Sequence, residues 1–265
     1  MLPELDTLGL DLRDDGVAVL TMNRPDRANS QTVTMFDEYA TAAFALRDSG
    51  ARVLVVRGAG EKAFCAGFDL AEIDVITKMG VREFLAFQEL AAGGIAALRG
   101  LPFPVIAAIH GPAAGGGMSL ALAADIRLAA PSAKFACSFV KVGLSAGELG
   151  TSWTLPRLVG PGRAAEIAFT GRVVGAEEAE RIGLVNRVVA DPVAEAFALA
   201  TAISASSPGG VRMSKRALQR NLEVASYAAA CELENRGQAL LTRGEDMPEA
   251  LAAFREGRSP NFTGR

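Results

Sequence analysis

The chain predicts an α/β fold with a helical C-terminal region, on three observations. Short apolar runs rich in β-branched residues alternate with longer stretches of helical spacing. Glycines, 28 of 265 residues, gather at the joints between them. Residues 211–257 combine helical periodicity with alternating charge and contain no strand-like run. We therefore expect an α/β core over residues 1–200 and a helical C-terminal subdomain over 201–265, with no Gly/Ser/Pro-rich linker between them.

Element by element, Gly16 to Met22 alternates small and branched apolar residues as a strand does, and Asn23-Arg-Pro25 turns the chain. Thr32 to Ser49 places Val33, Phe36, Ala40, Ala43, Phe44 and Leu46 at helical spacing, and Gly50 stops the helix. Arg52 to Arg57 is a buried strand closed by Gly58-Ala-Gly60, Val81 to Leu98 a second long helix, and Pro104 to Ile109 a strand on a continuous apolar run. Met118 to Ala124 reads as a buried helix and Ile126 to Ala129 as a short strand. From Thr151 onward the pattern is helical except for a strand-like piece at Leu184 to Val189, and Met213, Leu218, Leu222, Leu233, Leu240 and Leu251 mark the last helices.

Composition limits the chemistry. Lys and Arg number 27 against 30 Asp and Glu, which supplies no basic field for nucleic acid. A single histidine, His110, excludes a His-rich zinc site and means that any Ser-His-Asp or Cys-His relay would have to run through it alone. Cys65, Cys137 and Cys231 are odd in number and far apart, as buried reduced thiols of a cytosolic protein are. Residues 1–6 carry no basic and apolar export pattern, so a cytoplasmic location is expected. Gly100 to Ala124 lacks charge, but Pro102, Pro104, Pro112 and the Gly115-Gly116-Gly117 run break it too often for a membrane span.

Two joints expose unusual groups. Phe64-Cys-Ala-Gly-Phe-Asp-Leu70 and His110-Gly-Pro-Ala-Ala-Gly-Gly-Gly-Met118 each follow a strand and lead into a helix, where ligands of α/β folds collect. Glycine there lets a backbone N–H approach a ligand, and a helix N-terminus adds partial positive charge. Each loop has the makings of one donor to an oxyanion, although glycines at such places also serve turns and close packing.

With Ala124-Asp-Ile-Arg-Leu-Ala129, Gly143 to Arg157, Asn23-Arg-Pro-Asp-Arg-Ala-Asn29 and Phe254 to Phe262, these segments resemble, in order, the crotonase or enoyl-CoA hydratase/isomerase superfamily. The resemblance covers nearly the whole chain. It implies a spiral of ββα units with a helical C-terminal trimerisation region, assembled as a homotrimer or as a hexamer of two trimers. It implies an acyl-CoA substrate, with coenzyme A present as part of the thioester and no prosthetic group. The backbone N–H groups of Phe68 and Gly116 match the family's oxyanion donors, which hold the thioester oxygen as an enolate forms.

The acid/base group departs from the hydratase pattern. Hydratases carry two glutamates, and the matching positions hold Ser119 and Phe139. Glu148 falls instead where isomerases of the family keep a catalytic Glu or Asp. One carboxylate suits proton transfer between two carbons of one substrate, and burial against Trp153 or Phe139 would raise its pKa. On residues alone Glu148 reads first as an N-cap or first-turn acid of a helix over 149–159. Double-bond isomerisation is the favoured reaction; hydration, hydrolysis of an acyl-CoA, and acyl-CoA binding without turnover are the rivals. Glu72, Asp74 and Glu89 stand in reserve as acids. His110 is read as fixing its loop, and Ala92, where dehalogenases of the family have His, speaks against dehalogenation. Coenzyme A is expected to meet backbone groups around Ala66 and Asp69, with Arg27, and less strongly Arg258, facing its phosphates. Ile73, Val75, Ile76, Met79 and Phe84 are expected to line the acyl pocket.

Overall fold

The computed structural model describes residues 2–265. Its elements run β1 (Leu8–Leu12), β2 (Val17–Met22), α1 (Val33–Arg47), β3 (Val53–Gly58), α2 (Ile73–Lys78), α3 (Val81–Arg99), β4 (Val105–Ile109), β5 (Ala113–Ala114), α4 (Gly116–Ala123), β6 (Ile126–Ala129) and β7 (Lys134–Ala136). They continue with α5 (Thr151–Val159), α6 (Pro161–Thr170), β8 (Val173–Gly175), α7 (Ala176–Arg181), β9 (Arg187–Val188), α8 (Pro192–Ser204), α9 (Pro208–Asn221), α10 (Tyr227–Leu241) and α11 (Asp246–Glu256).

The main sheet has the order β1-β2-β3-β4-β6-β9, and every neighbouring pair except β1 with β2 is parallel. Both of its faces are covered, which is why its strands read as unbroken apolar runs rather than alternating ones. Val17, Val53, Val55, Ile106, Ala108 and Leu128 point to one side, against Ala196 and Ala200 of α8. Leu20, Leu54, Val56, Ala107 and Ile109 point to the other, into the larger core under α1, α3 and α4. Residue 200, the expected division, lies inside α8, whose apolar face belongs to the sheet. Further on, the Lys215 ammonium of α9 is tied to Phe103 O and Asp125.

After β2, β3, β4 and β6 the chain gives a second, shorter extended piece before its next α-helix. Gln31 bridges Phe68, Cys65 bridges Ala113, and β5 pairs β7, which pairs β8. Strand, short strand and helix thus repeat as turns of a spiral, the crotonase architecture that the resemblance implied. The short pieces β5, β7 and β8 escape a periodicity reading, and β8 lies in the stretch read as helical. The strand expected over 184–189 shrinks to Arg187–Val188, because Leu184 and Val185 are buried in the turn after α7. No helix among the described residues is long and apolar enough to cross a membrane.

Candidate active site

The loop after β3 is clamped on both sides. Gln31 N–H donates to Gly67 O at 2.7 Å and Asp69 N–H to Gln31 O at 2.8 Å, so the backbone of Gln31 brackets Phe68. Opposite, Cys65 N–H donates to Pro112 O and Ala114 N–H to Cys65 O. Asn29, buried and with a positive φ of 54°, adds side-chain bonds to Ala59 O and Ala63 O. His110 rests against the Ala63 carbonyl, while burial and the Arg57 charge lower its pKa, which leaves it neutral at neutral pH. Burial pushes the Cys65 thiol up to about 12, so it stays protonated and inert.

This clamping sets two amides side by side. Gly67 has φ +94°, and a Cβ there would lie 2.8 Å from Ala114 O and 3.6 Å from Gly116 N. Only glycine allows that turn and approach. Phe68 follows at once, and Gly116 is the first residue of α4, where helical geometry leaves the N–H without an internal acceptor. Among the described residues, neither the Phe68 nor the Gly116 N–H donates to another group. Two free amides on adjacent strand-to-helix joints are the kind of donors that can hold one oxygen bearing developing charge.

Glu148 ends the 143–147 loop. It is not the cap of α5, since Gly150 holds that position; its carbonyl instead accepts Thr151 N–H at 2.8 Å, across Leu149 at φ +49°. That turn brings Leu149 Cδ1 to 3.2 Å from where a Gly116 Cβ would stand. The Glu148 carboxylate is half-buried beside Gln88 of α3; burial raises its pKa and Gln88 partly offsets this. Gln88 follows Phe87, whose ring lies 5.7 Å from that of Phe68. Glu148 thus contacts Gln88, the residue after Phe87, and precedes Leu149, which packs at Gly116. Trp153, expected as one of its burying neighbours, is stacked against the Arg99 and Arg157 guanidiniums at 4.7 and 4.0 Å. Ser119 and Phe139 are both buried nearby, with a Phe139 ring atom 3.8 Å from the Gly115 Cβ direction.

The other sequence candidates sort by what they touch. Glu72 accepts Val33 N–H at the start of α1, and Asp74 and Glu89 are exposed helix charges. Asp69 is buried; its carboxylate pairs with Arg24 at 2.8 Å and accepts Ala71 N–H, and its backbone groups serve Gln31 and Glu72. These bonds hold its pKa below the usual carboxylate value. Ala66 is exposed with its N–H on Ala28 O, and Arg27, 55% exposed, stands 3.6 Å from Asp69 at the rim of the same loop. Arg258 is held by Glu249 and Glu256 on the C-terminal surface. Toward the acyl side, Ile76, Met79, Phe84 and Phe68 are partly buried against the core, while Val75 is half exposed. Gln31, Gln88 and Thr151 were not singled out from sequence. The one available signal was a polar residue, Gln88, inside the apolar stripe of Phe84, Phe87 and Ala91.

A spiral of ββα turns with free amides at two successive strand-to-helix joints is the architecture of the crotonase-type enzymes. The family model for enoyl-CoA hydratase/isomerase matches residues 13–265. The chain is 43% identical over 260 residues to the probable enoyl-CoA hydratase EchA12 of Mycobacterium tuberculosis, covering 93% of this chain and 89% of that protein. It is 36% identical over 256 residues to the 1,2-epoxyphenylacetyl-CoA isomerase of Escherichia coli, covering 95% and 97%. The crystal structure of an enoyl-CoA hydratase from Bacillus anthracis superposes with a TM-score of 0.92 at 33% identity, over 98% of this chain and 100% of that one. The chain belongs to the enoyl-CoA hydratase/isomerase family and acts on acyl-CoA thioesters.

Proposed function

We propose that the protein moves the double bond of an enoyl-CoA, with Glu148 as its only acid/base. The Phe68 and Gly116 amides hold the thioester oxygen. Glu148 takes a proton from C2 of a 3-enoyl-CoA, the charge spreads onto the held oxygen as a dienolate, and the same carboxyl returns the proton at C4 to give the 2-enoyl-CoA. The observation that carries this reading is the half-buried Glu148 carboxylate of raised pKa, in the turn whose Leu149 packs at Gly116, with Ser119 and Phe139 at the positions that the family resemblance matches to the hydratase glutamates. Arg27 supports binding of the coenzyme A phosphates and the exposed Ala66 that of its adenine and pantetheine, while Asp69 is buried with both its backbone groups engaged and supports the loop rather than the ligand. Assembly as a trimer or a pair of trimers is supported by apolar residues left uncovered on the last helices, Tyr227, Leu240, Leu251 and Phe254 among them.

Addition of water to a 2-enoyl-CoA by the same carboxylate is the second reading, favoured by the hydratase names among the relatives. Incubation with 3-enoyl-CoA and with 2-enoyl-CoA, followed by product analysis, separates the two. Glu148→Gln should abolish turnover while acyl-CoA binding, measured by calorimetry, persists. Unchanged turnover in that variant removes Glu148 from the mechanism.

A further inference from the structure

Ser119, at the position that the family resemblance matches to a hydratase glutamate, has specific surroundings. Its hydroxyl is 2.7 Å from that of Thr151 and 3.2 Å from Gly115 O, and both side chains are almost fully buried. A carbonyl only accepts, so in the arrangement where Ser119 bonds Gly115 O its proton goes there and Thr151 donates to Ser119. Gly115 O also accepts Ser119 N–H at 3.0 Å. The peptide unit that receives these two bonds is the one whose N–H is the free amide of Gly116. Chained hydrogen bonds polarise one another, and electron density drawn toward a peptide oxygen makes its N–H a stronger donor.

We infer that Ser119, supported by Thr151, is a positioning residue that polarises and orients the Gly115–Gly116 peptide, and so strengthens one of the two donors to the thioester oxygen. The same pair ties α4 to α5, because Thr151 N–H closes the Glu148 turn at 2.8 Å. Oxygen-holding amide and proton-carrying carboxylate are thereby fixed to one another through two buried hydroxyls. This rests on the proposed use of the Gly116 amide, and the test below distinguishes failure of either.

The experiment binds hexanoyl-CoA labelled with carbon-13 at its carbonyl, a saturated thioester that cannot isomerise, and reads the carbonyl stretch by infrared difference spectroscopy. Wild-type protein should lower the stretch relative to the free thioester, and Ser119→Ala should lower it less. In turnover assays Ser119→Ala should lose about tenfold in kcat with little change in KM or thermal midpoint, the pattern of an interaction that strengthens in the transition state. Thr151→Val should lose about threefold and Thr151→Ser should restore the wild-type value, which decides the matter even if Ser119→Ala folds poorly. A Ser119→Ala stretch equal to the wild-type one, or a Thr151→Val protein as active as Thr151→Ser, overturns the inference alone. A wild-type protein that leaves the stretch where water puts it overturns both this inference and the oxygen-holding role of the amides.

Discussion

Gly117→Ala tests whether the separation of the two amides is held by packing. A Cβ at Gly117 would sit 2.7 Å from Cys65 Cβ and 2.8 Å from the Cys65 carbonyl carbon, and closer still to that carbonyl oxygen. The obstacle is backbone, locked by the Cys65 bonds to Pro112 and Ala114, so no side chain can swing aside. Restoring ordinary contact requires the loop carrying Phe68 to part from α4 by about 1 Å. A misplacement of about 1 Å at a reacting centre costs on the order of a hundredfold in rate, or about 2.7 kcal/mol of transition-state stabilisation. Overpacking adds a stability loss of about 1–3 kcal/mol. The assay is kcat/KM for enoyl-CoA isomerisation at a temperature well below the variant's own unfolding midpoint, so that the two losses are read separately. Activity within about threefold of wild type in a folded Gly117→Ala protein would refute the claim that this contact sets the amide spacing.

Further outcomes follow from the charges of Glu148 and Asp69. Glu148 must be ionised to take a proton, and burial raises its pKa, so kcat/KM should fall on its acid limb at a pH above the ordinary glutamate value of 4.5. The sign for stability is opposite: a folded pKa above the unfolded one contributes stability at low pH that is lost as pH rises through the folded value. Glu148→Gln should therefore melt higher than wild type at neutral pH, with the gap closing in acid; a gap that widens in acid contradicts the assignment. Asp69→Asn, which unpairs the part-buried Arg24, should cost about 2 kcal/mol in urea unfolding at neutral pH, between the values typical of exposed and buried pairs. Because the Asp69 pKa is lowered, its contribution is present above the ordinary aspartate range and lost as pH falls through the folded value. An unchanged unfolding midpoint would show that the pair does not hold the loop.

What could be read from sequence depended on how far apart the interacting residues lie. Val53 to Gly58 and Val105 to Ile109 are legible because central strands buried on both faces must be apolar throughout. The edge strand β1 is not, since Leu8-Gly-Leu-Asp-Leu12 is only partly buried and looks like a loop. β5, β7 and β8 are too short for any period and exist because each meets the previous turn of the spiral. In the site, Gly67, Phe68 and Gly116 were reachable from glycine placement with the family pattern. Glu148 was reachable from the family pattern, against a capping role that the structure removes by giving the cap to Gly150. The Ser119–Thr151 bond joins residues 32 apart and is made by packing of α4 on α5, so no local pattern announces it.

The two free amides belong to the main chain, and that bears on how such a protein changes. Replacing the Phe68 side chain leaves its N–H in place, so on the proposed reading the carbonyl-holding half of the site survives most point substitutions. The carboxylate is a side chain and can be erased at one turn of the spiral and regained at another. A spiral of this kind therefore offers one permanent grip on a thioester and several interchangeable seats for the proton carrier. Its descendants can exchange reactions without first losing their hold on the substrate.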